Sequence, residues 1–183
     1  MGLLKNKRLL ITGVLTDSSL AFSVAQLALD EGAEIVITGA GRGLRLTERT
    51  ARKLNGDVDV MEFDVTQADH VSLVRDALSE KWGKLDGALH AIGFMPEVGL
   101  GEDFLAGEWN DLSVGFEISA YSLKTIAEVV SPLMPQGGSI VGLDFDASYA
   151  WPAYNWMGVA KAALESASRY LARSLGSSDI RVN

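Results

Sequence analysis

A tyrosine and a lysine seven positions apart, Tyr154 and Lys161, form the residue pair in this sequence with the clearest capacity for chemistry. Seven residues are two turns of an α-helix, so the two side chains would lie on one helix face. The phenol could hydrogen-bond a carbonyl oxygen that becomes anionic, and the nearby cation would favour phenolate character. Taken alone, the pair is better explained as a surface lysine and a packed tyrosine, because long helices produce this spacing by chance.

A glycine turn near the N-terminus could bind a phosphate group. In residues 13–21 a glycine follows an apolar run and precedes a helical pattern, and the free N–H groups of such a helix could hold a pyrophosphate. The GxGxxG fingerprint is absent, and Thr38-Gly39 stands where a ribose-binding carboxylate is usual. An ordinary strand-to-helix turn capped by Asp17 or Ser18 explains the run about equally well.

Short apolar runs alternate with amphipathic stretches, a pattern that predicts parallel strands joined by helices. Strands are predicted at residues 8–12, 34–38, 58–63, 87–90 and 139–144, with a sixth beginning at Ile180. Helices are predicted at residues 20–31, 45–54, 67–82, 108–133 and 154–175. This alternation predicts one α/β domain over residues 1–183, a Rossmann-type doubly wound parallel sheet with helices on both faces. Ligands of such a sheet bind at the carboxyl ends of its strands.

Charge and composition exclude several classes of function. The 24 acidic and 16 basic residues give a formal charge of −8, which would repel a phosphate backbone, so nucleic acid is not expected as a partner. The chain has no cysteine, which excludes disulfides, thiolate catalysis and cysteine-ligated zinc. His70 and His90 fall on different predicted elements, so no metal site is expected, and His90 is interpreted as a structural histidine at a strand end.

The N-terminal residues do not resemble a targeting segment. Lys5, Lys7 and Arg8 are followed by an apolar run that is too short for a signal peptide or a membrane span. The sequence therefore predicts a cytoplasmic protein without membrane insertion.

Segments spread over almost the entire chain match those of a known family. They are Thr12-Gly13 with Ser18-Ser19-Leu20-Ala21, Asp64-Val65, Ala91-Ile92-Gly93-Phe94-Met95-Pro96, Ile118-Ser119-Ala120-Tyr121, Gly142-Leu143-Asp144-Phe145-Asp146, and Pro152-Ala153-Tyr154-Asn155-Trp156-Met157 with Ala160-Lys161. In these segments the chain resembles the short-chain dehydrogenase/reductase superfamily, and within it the mycobacterial-type NADH-dependent enoyl-(acyl carrier protein) reductases. The surrounding matches favour the functional interpretation of Tyr154 and Lys161.

The resemblance implies a site for NADH. It assigns contacts with the pyrophosphate, the adenine and the nicotinamide ribose, and the wall of the site after the fourth strand. The residues that it assigns recur at successive strand ends. These residues are Gly13, Ser19, Leu20, Asp64, Val65, Ile92, Gly93, Ile118 and Lys161. The alternatives are helix capping for the polar residues and core packing for the apolar ones.

The resemblance also implies catalytic roles. Tyr154 would stabilise an enolate, Lys161 would fix the ribose, and Phe145 would orient nicotinamide and substrate, with a plain hydrophobic cap as its alternative. Met95 and Met157 would line the acyl pocket together with Tyr154, with Trp156 and Tyr121 nearby, or would simply pack in the core.

Met157 separates two groups within the superfamily. Ordinary short-chain dehydrogenases resemble one another in a tyrosine four positions before the lysine and in a serine near the end of the fifth strand. Here those positions hold Met157 and the segment Gly142-Leu143-Asp144-Phe145, with Ser148 only afterwards. A reductase acting on a ketone is therefore the weaker interpretation.

The sequence departs from the mycobacterial-type pattern after the second strand. Ala40 occupies the place of an aromatic residue that covers adenine, so adenine binding would be weaker or differently arranged. Four arginines recur there at helical spacing and could bind a ribose 2′-phosphate, so NADPH remains an alternative cofactor. A solvated basic helix face is the simpler explanation of these arginines. They are Arg42, Arg45, Arg49 and Arg52.

The sequence stops at residues 179–183, where the sixth strand has only begun and the family continues. We expect the substrate lid and the last strand to be absent, and therefore either a fragment or a chain whose open edge a partner covers.

The combined expectation is an enoyl reductase of fatty-acid biosynthesis. It would reduce a trans-2-enoyl thioester carried on acyl carrier protein, or a coenzyme A analogue, as a homotetramer that packs helices such as 108–133 together. A different short-chain reductase acting on a ketone and a catalytically silent nucleotide-binding module are the alternatives.

Overall fold

The computed structural model describes residues 2–183 and centres on a six-stranded, all-parallel sheet with the order β3-β2-β1-β4-β5-β6. The strands are β1 (Arg8–Thr12), β2 (Glu34–Gly39), β3 (Asp59–Glu62), β4 (Gly87–His90), β5 (Gly138–Gly142) and β6 (Ile180–Val182). The α-helical segments are α1 (Leu20–Asp30), α2 (Gly41–Ala51), α3 (Ala68–Trp82), α4 (Trp109–Phe116), α5 (Ser122–Val130) and α6 (Asn155–Leu175). The predicted Rossmann-type α/β fold is confirmed.

The strands form where apolar residues run without interruption, because a parallel sheet is covered on both faces. In β1, Leu10 is fully buried toward one face and Ile11 is buried toward the other. Helices α3, α5 and α6 cover the first face with a large core, and α1 and α2 cover the second over β1 and β2. Beyond α1, the second face carries an open groove of about 800 Å3 over β4 and β5.

The helix that the sequence predicts over residues 108–133 is interrupted. A wide π turn, Glu117–Tyr121, joins α4 to α5, and a short 3-10 turn, Ser131–Leu133, follows. Such a turn adds one residue and shifts the apolar pattern by one position, which is hard to recognise in a segment this rich in small and apolar residues. Ser119 of this turn hydrogen-bonds with Phe94, so the turn packs against the segment that follows β4.

Several other predicted bounds shift by one to four residues; β5, for example, spans Gly138–Gly142 rather than residues 139–144. Helix α2 begins at Gly41 rather than at residue 45, after Ala40 in an extended conformation. Tyr154 lies immediately before α6 and not inside it. Gly41 and Gly43 have low helix propensity, which explains why the sequence places the start of α2 too late.

Within residues 2–183, no helix combines the length and apolar character needed to cross a bilayer. In the same residues, no three metal-ligating side chains of the histidine, cysteine, aspartate or glutamate type cluster together.

Candidate active site

A cleft of about 440 Å3 opens at the carboxyl ends of β1 to β4, the edge at which parallel sheets bind ligands. It brings together seven of the residues that the sequence assigns to cofactor binding: Gly13, Ser19, Asp64, Val65, Ile92, Gly93 and Ile118. Leu20 is mostly exposed at the start of α1 and does not line the cleft. Residues from positions 13 to 118 therefore converge on a single cavity.

Gly13 is the tightest point of the cleft. Its φ of 82° lies in the left-handed region, and a Cβ there would collide with the carbonyl oxygen of Ala91. The neighbouring Thr12 hydroxyl donates to the Leu89 carbonyl at 2.9 Å and accepts from the Ala91 N–H at 3.0 Å. These contacts hold the ends of β1 and β4 side by side, so a ligand can approach the backbone directly.

The start of α1 lies beside this cleft, because Ser19, directly before the helix, lines it. Ser19 occupies the capping position, but its hydroxyl donates to the Thr16 carbonyl at 2.6 Å instead of capping the helix. Asp17 forms an ion pair with Lys53, which lowers the pKa of the Asp17 carboxyl, so neither Asp17 nor Ser18 caps α1. The alternative interpretation as a turn capped by Asp17 or Ser18 is therefore wrong.

The far end of the cleft is formed by the ends of β2 and β3. The Asp64 carboxylate accepts hydrogen bonds from the N–H and the hydroxyl of Thr66, at 3.0 and 2.7 Å, so it has a fixed orientation. Ala40 lines the cleft and presents only a methyl group. The four arginines of this region are exposed and none lines the cleft, as expected of a solvated basic face: Arg42, Arg45, Arg49 and Arg52.

Lys161 lies at the other end of the site, where β5 meets α6. Its side chain is almost fully buried, and its ammonium donates to the Leu143 carbonyl at 2.9 Å and lies 3.9 Å from an Asp144 carboxylate oxygen. Burial lowers the pKa of Lys161, and the negative charge of Asp144 opposes that effect. Burial likewise raises the pKa of Asp144. A buried ammonium therefore lies close to a carboxylate that solvent still reaches.

Tyr154 lies partly buried just before α6. Burial raises its pKa, and the negative charge of Asp144 raises it further. Both effects oppose the expected phenolate character, which stays a prediction. The Phe145 ring lies 4.8 Å from the Tyr154 ring, between centroids, and is about half exposed.

The loop before α6 is held in an unusual conformation. Ala153 and Asn155 have φ values of 60° and 49°, which non-glycine residues rarely adopt. The Asn155 amide donates to the carbonyls of Gly101 and Asp103, at 3.2 and 3.1 Å. Tyr154 lines a second groove of about 690 Å3, which lies between the loop before α6 and the segment around Gly101. It does not line the first cleft.

The two methionines that the resemblance assigns to the substrate lie in packed positions. Met95 is buried against Leu112 and Ala160, with Met157 partly buried beside them. Met95 also fills the space above Gly99 and Gly115. Core packing, the alternative, describes Met95 in this structure, and a role for either methionine toward an acyl chain stays a prediction.

Sequence reasoning assigned no role to Asp144, Ser119 or Ser122, although all three connect parts of the site. Ser119 accepts from the Phe94 N–H at 2.8 Å and its hydroxyl lies 2.7 Å from the Phe94 carbonyl. Asp144 follows directly after a predicted strand, a position that could have identified it. The serines carry no comparable signal, because serine within a helical pattern is unremarkable.

The site combines a backbone-lined cleft, suited to a dinucleotide, with a neutral phenol and a buried ammonium. A phenol can donate a hydrogen bond to an oxygen that gains negative charge. Such a donor is needed when a double bond conjugated with a carbonyl group is reduced, because the carbonyl oxygen then gains negative charge. The arrangement can therefore support hydride transfer to a conjugated carbonyl compound.

Comparison with known proteins gives a consistent result. Residues 13–183 match a family model described as enoyl-(acyl carrier protein) reductase. A curated relative from Mycolicibacterium smegmatis, named as an NADH enoyl-(acyl carrier protein) reductase, is 47% identical over 186 residues, covering all of this chain and 69% of the relative. Proteins with the same enzyme name from Mycobacterium avium and Neisseria meningitidis are 44% and 38% identical, covering 69% and 71% of their lengths and all of this chain.

Proposed function

The chain belongs to the enoyl-(acyl carrier protein) reductase family, and on that basis we propose that it is an NADH-dependent oxidoreductase that reduces a trans-2-enoyl thioester. The observation that carries the proposal is the convergence of seven predicted cofactor residues on one cleft at the strand ends. The same cleft would be the dinucleotide site in a family whose members are named for NADH.

The residues of the cleft fit a dinucleotide. Gly13 leaves open the space that a Cβ would fill, and the uncapped first turn of α1 offers N–H groups to a pyrophosphate. Asp64 and Val65 would contact adenine, and Ile92, Gly93 and Ile118 would form the wall toward the nicotinamide. When bound, NADH supplies the hydride that reduces the β-carbon of the enoyl thioester.

Tyr154 would act on the substrate carbonyl. A neutral phenol donates a hydrogen bond to the thioester oxygen as negative charge develops there, and its raised pKa keeps that proton in place. The proton added to the α-carbon would come from solvent or from Tyr154. Phe145, in contact with the Tyr154 ring, would restrict the orientation of the reacting groups.

Lys161 would hold the ribose and set the local charge. Its ammonium is already fixed by the Leu143 carbonyl, and the negative charge of Asp144 opposes the lowering of its pKa by burial. The cation would also stabilise an enolate oxygen through space.

The proposal extends to the partners of the enzyme. The substrate would be carried on acyl carrier protein or, in vitro, on coenzyme A, and the product would serve fatty-acid biosynthesis and lipid metabolism. We also propose a homotetramer in the cytoplasm, with the α4 to α5 segment contributing to the subunit contact.

The test is NADH oxidation followed by loss of its absorbance, with a trans-2-enoyl coenzyme A thioester as substrate and a full-length curated relative as positive control. We expect turnover with the enoyl thioester and not with a 3-oxoacyl thioester, and weaker binding of NADPH than of NADH. The Tyr154→Phe variant should retain NADH binding and lose turnover.

Two results would contradict the proposal. Reduction of the 3-oxoacyl thioester alone would identify a ketone reductase. NADH binding without turnover of either thioester would leave a nucleotide-binding module, as the sequence alternatives allow.

A further inference from the structure

His90 is completely buried at the end of β4 and links the two ends of the candidate site. Its imidazole Nε2 lies 2.7 Å from the Ser122 hydroxyl, and that hydroxyl donates to the Ile118 carbonyl at 2.6 Å. Ile118 belongs to the π turn and lines the cleft proposed for NADH. A buried histidine is thereby connected to the wall of that cleft through one serine.

The hydrogen-bond pattern determines which imidazole nitrogen carries the proton. Ser122 has a single hydroxyl proton and donates it to Ile118, so Nε2 must donate to Ser122. The Nδ1 atom is buried and has no hydrogen-bond partner in the described part of the chain. A proton on Nδ1 would leave a buried N–H group without an acceptor, which is more costly than an unused acceptor.

The backbone of His90 connects to the opposite end of the site. Its carbonyl accepts from the Leu143 N–H at 2.8 Å, and the Leu143 carbonyl accepts from the Lys161 ammonium. Burial, with a smaller contribution from the charge of Lys161, lowers the pKa of His90 to about 4, so the ring is neutral at physiological pH. His90 is thus linked to the π turn through Ser122, and its own backbone contacts the strand end that holds the lysine.

We propose that His90 is a positioning residue of the reductase, whose neutral, Nε2-protonated ring fixes Ser122 and the π turn so that Ile118 is held against the bound dinucleotide. The inference rests on the proposed function, since it names NADH as the ligand that Ile118 contacts. His90 touches neither substrate nor reacting atoms, and it acts through Ser122.

The first experiment measures NADH affinity and thermal stability for a set of variants. Ser122→Ala leaves the His90 N–H without a partner, and we expect the NADH Kd to rise about tenfold and stability to fall. His90→Gln places an amide N–H near the Nε2 position, so we expect Kd within about twofold of the parent. Thr125→Val alters a buried hydroxyl on the same helix as Ser122 and serves as the matched control.

A double variant separates positioning from a purely structural role. Combining His90→Leu with Ser122→Ala removes both partners, so no polar group of this pair is left unsatisfied and stability should largely recover. If His90 positions the π turn, the NADH Kd remains about tenfold weaker. Recovery of both stability and affinity in the double variant would overturn the proposal.

The second experiment reads the tautomer directly from the imidazole nitrogen chemical shifts. The chain has two histidines, so His70→Gln assigns the signals of His90. We expect protonated Nε2 and unprotonated Nδ1 at neutral pH, and the opposite tautomer would overturn the proposal. Failure of the parent to bind NADH would overturn the proposed function and the positioning role with it, while the tautomer would still be decided by these shifts.

Discussion

The two ends of the candidate site are built by different physical means. At β1 to β3 the cleft is formed by close backbone contacts, small residues and the free N–H groups of α1. At β5 and α6 the chemistry depends on two charged groups, the buried Lys161 and the more exposed Asp144, beside a loop with exposed aromatic rings. The first end should therefore be sensitive to added volume, and the second to a lost proton or charge.

Gly13→Ala should give the largest effect, because it tests whether the first end depends on backbone approach. The left-handed φ costs roughly 1–2 kcal/mol and the collision with Ala91 roughly 1–3 more, about 4 kcal/mol of unfolding free energy in all. Urea unfolding and NADH titration measure the result. Gly41→Ala has a positive φ of 48° but open space, so it should cost only the first part. Equal losses in both variants would show that the contact with Ala91 is unimportant.

Tyr154→Phe tests the charge-dependent end and should be second in size. Loss of the phenol proton should reduce kcat about 10²-fold, close to 3 kcal/mol in the barrier, because the enolate loses its donor. Kd for NADH and the melting temperature should change little. Tyr149→Phe, on the same loop and mostly exposed, is the control. A parallel loss of NADH affinity would mean that Tyr154 belongs to the dinucleotide end as well.

His90 lies between the two ends, and its neutral ring predicts a pH effect on stability. The pKa is about 4 in the folded chain against an ordinary 6.5, so in that interval the unfolded chain binds a proton that the folded one does not. The neutral His90 ring therefore contributes fully to the free energy of unfolding above about pH 6.5, and this contribution is lost as the pH falls toward 4. By pH 5 the free energy of unfolding should have fallen by about 2 kcal/mol.

Urea unfolding at neutral pH and near pH 5 measures this loss. His90→Gln should remove this share of the pH dependence, whereas His70→Gln should keep it. The difference between variants isolates His90 from the carboxylates that titrate nearby. Identical pH profiles for the parent and His90→Gln would show that His90 is accessible to protons.

Ala40→Phe should have the smallest effect, and it should increase NADH affinity rather than reduce it. Ala40 lines the far end of the cleft with a methyl group, and an aromatic ring there could stack on adenine. We expect NADH Kd to fall about fivefold, near 1 kcal/mol. Isothermal titration measures it, with Ala40→Leu as an apolar control. An equal gain in the leucine variant would indicate packing rather than stacking.

Sequence patterns predicted the fold because strand position depends on local apolar runs. β1 and β4 have the predicted bounds, and the helices of the Rossmann pattern all exist. Residues at strand ends were also predictable as a cleft, since parallel strands bring their carboxyl ends to one edge. Even so, the start of α2 was missed because Gly41 and Gly43 have low helix propensity, and the π turn was missed because a shift of one position is hard to recognise in so apolar a segment.

The same patterns could not predict the electrostatics of the site. The pKa of Tyr154 moves upward because it is partly buried near Asp144, and no spacing in the sequence indicates that proximity. Met95 is buried because two glycines, Gly99 and Gly115, leave room for it. Both results depend on residues that are distant along the chain.

The sequence by itself determined the order of strands and helices, the family, and which residues lie at the strand ends, because each depends on local composition and spacing. Only the tertiary structure decided that the pKa of Tyr154 moves upward, that Lys161 is held by Leu143, and that His90 is linked to the π turn through Ser122. The reason is that burial and charge act through space, so their effect on a group depends on which neighbours the fold brings within a few ångströms of it.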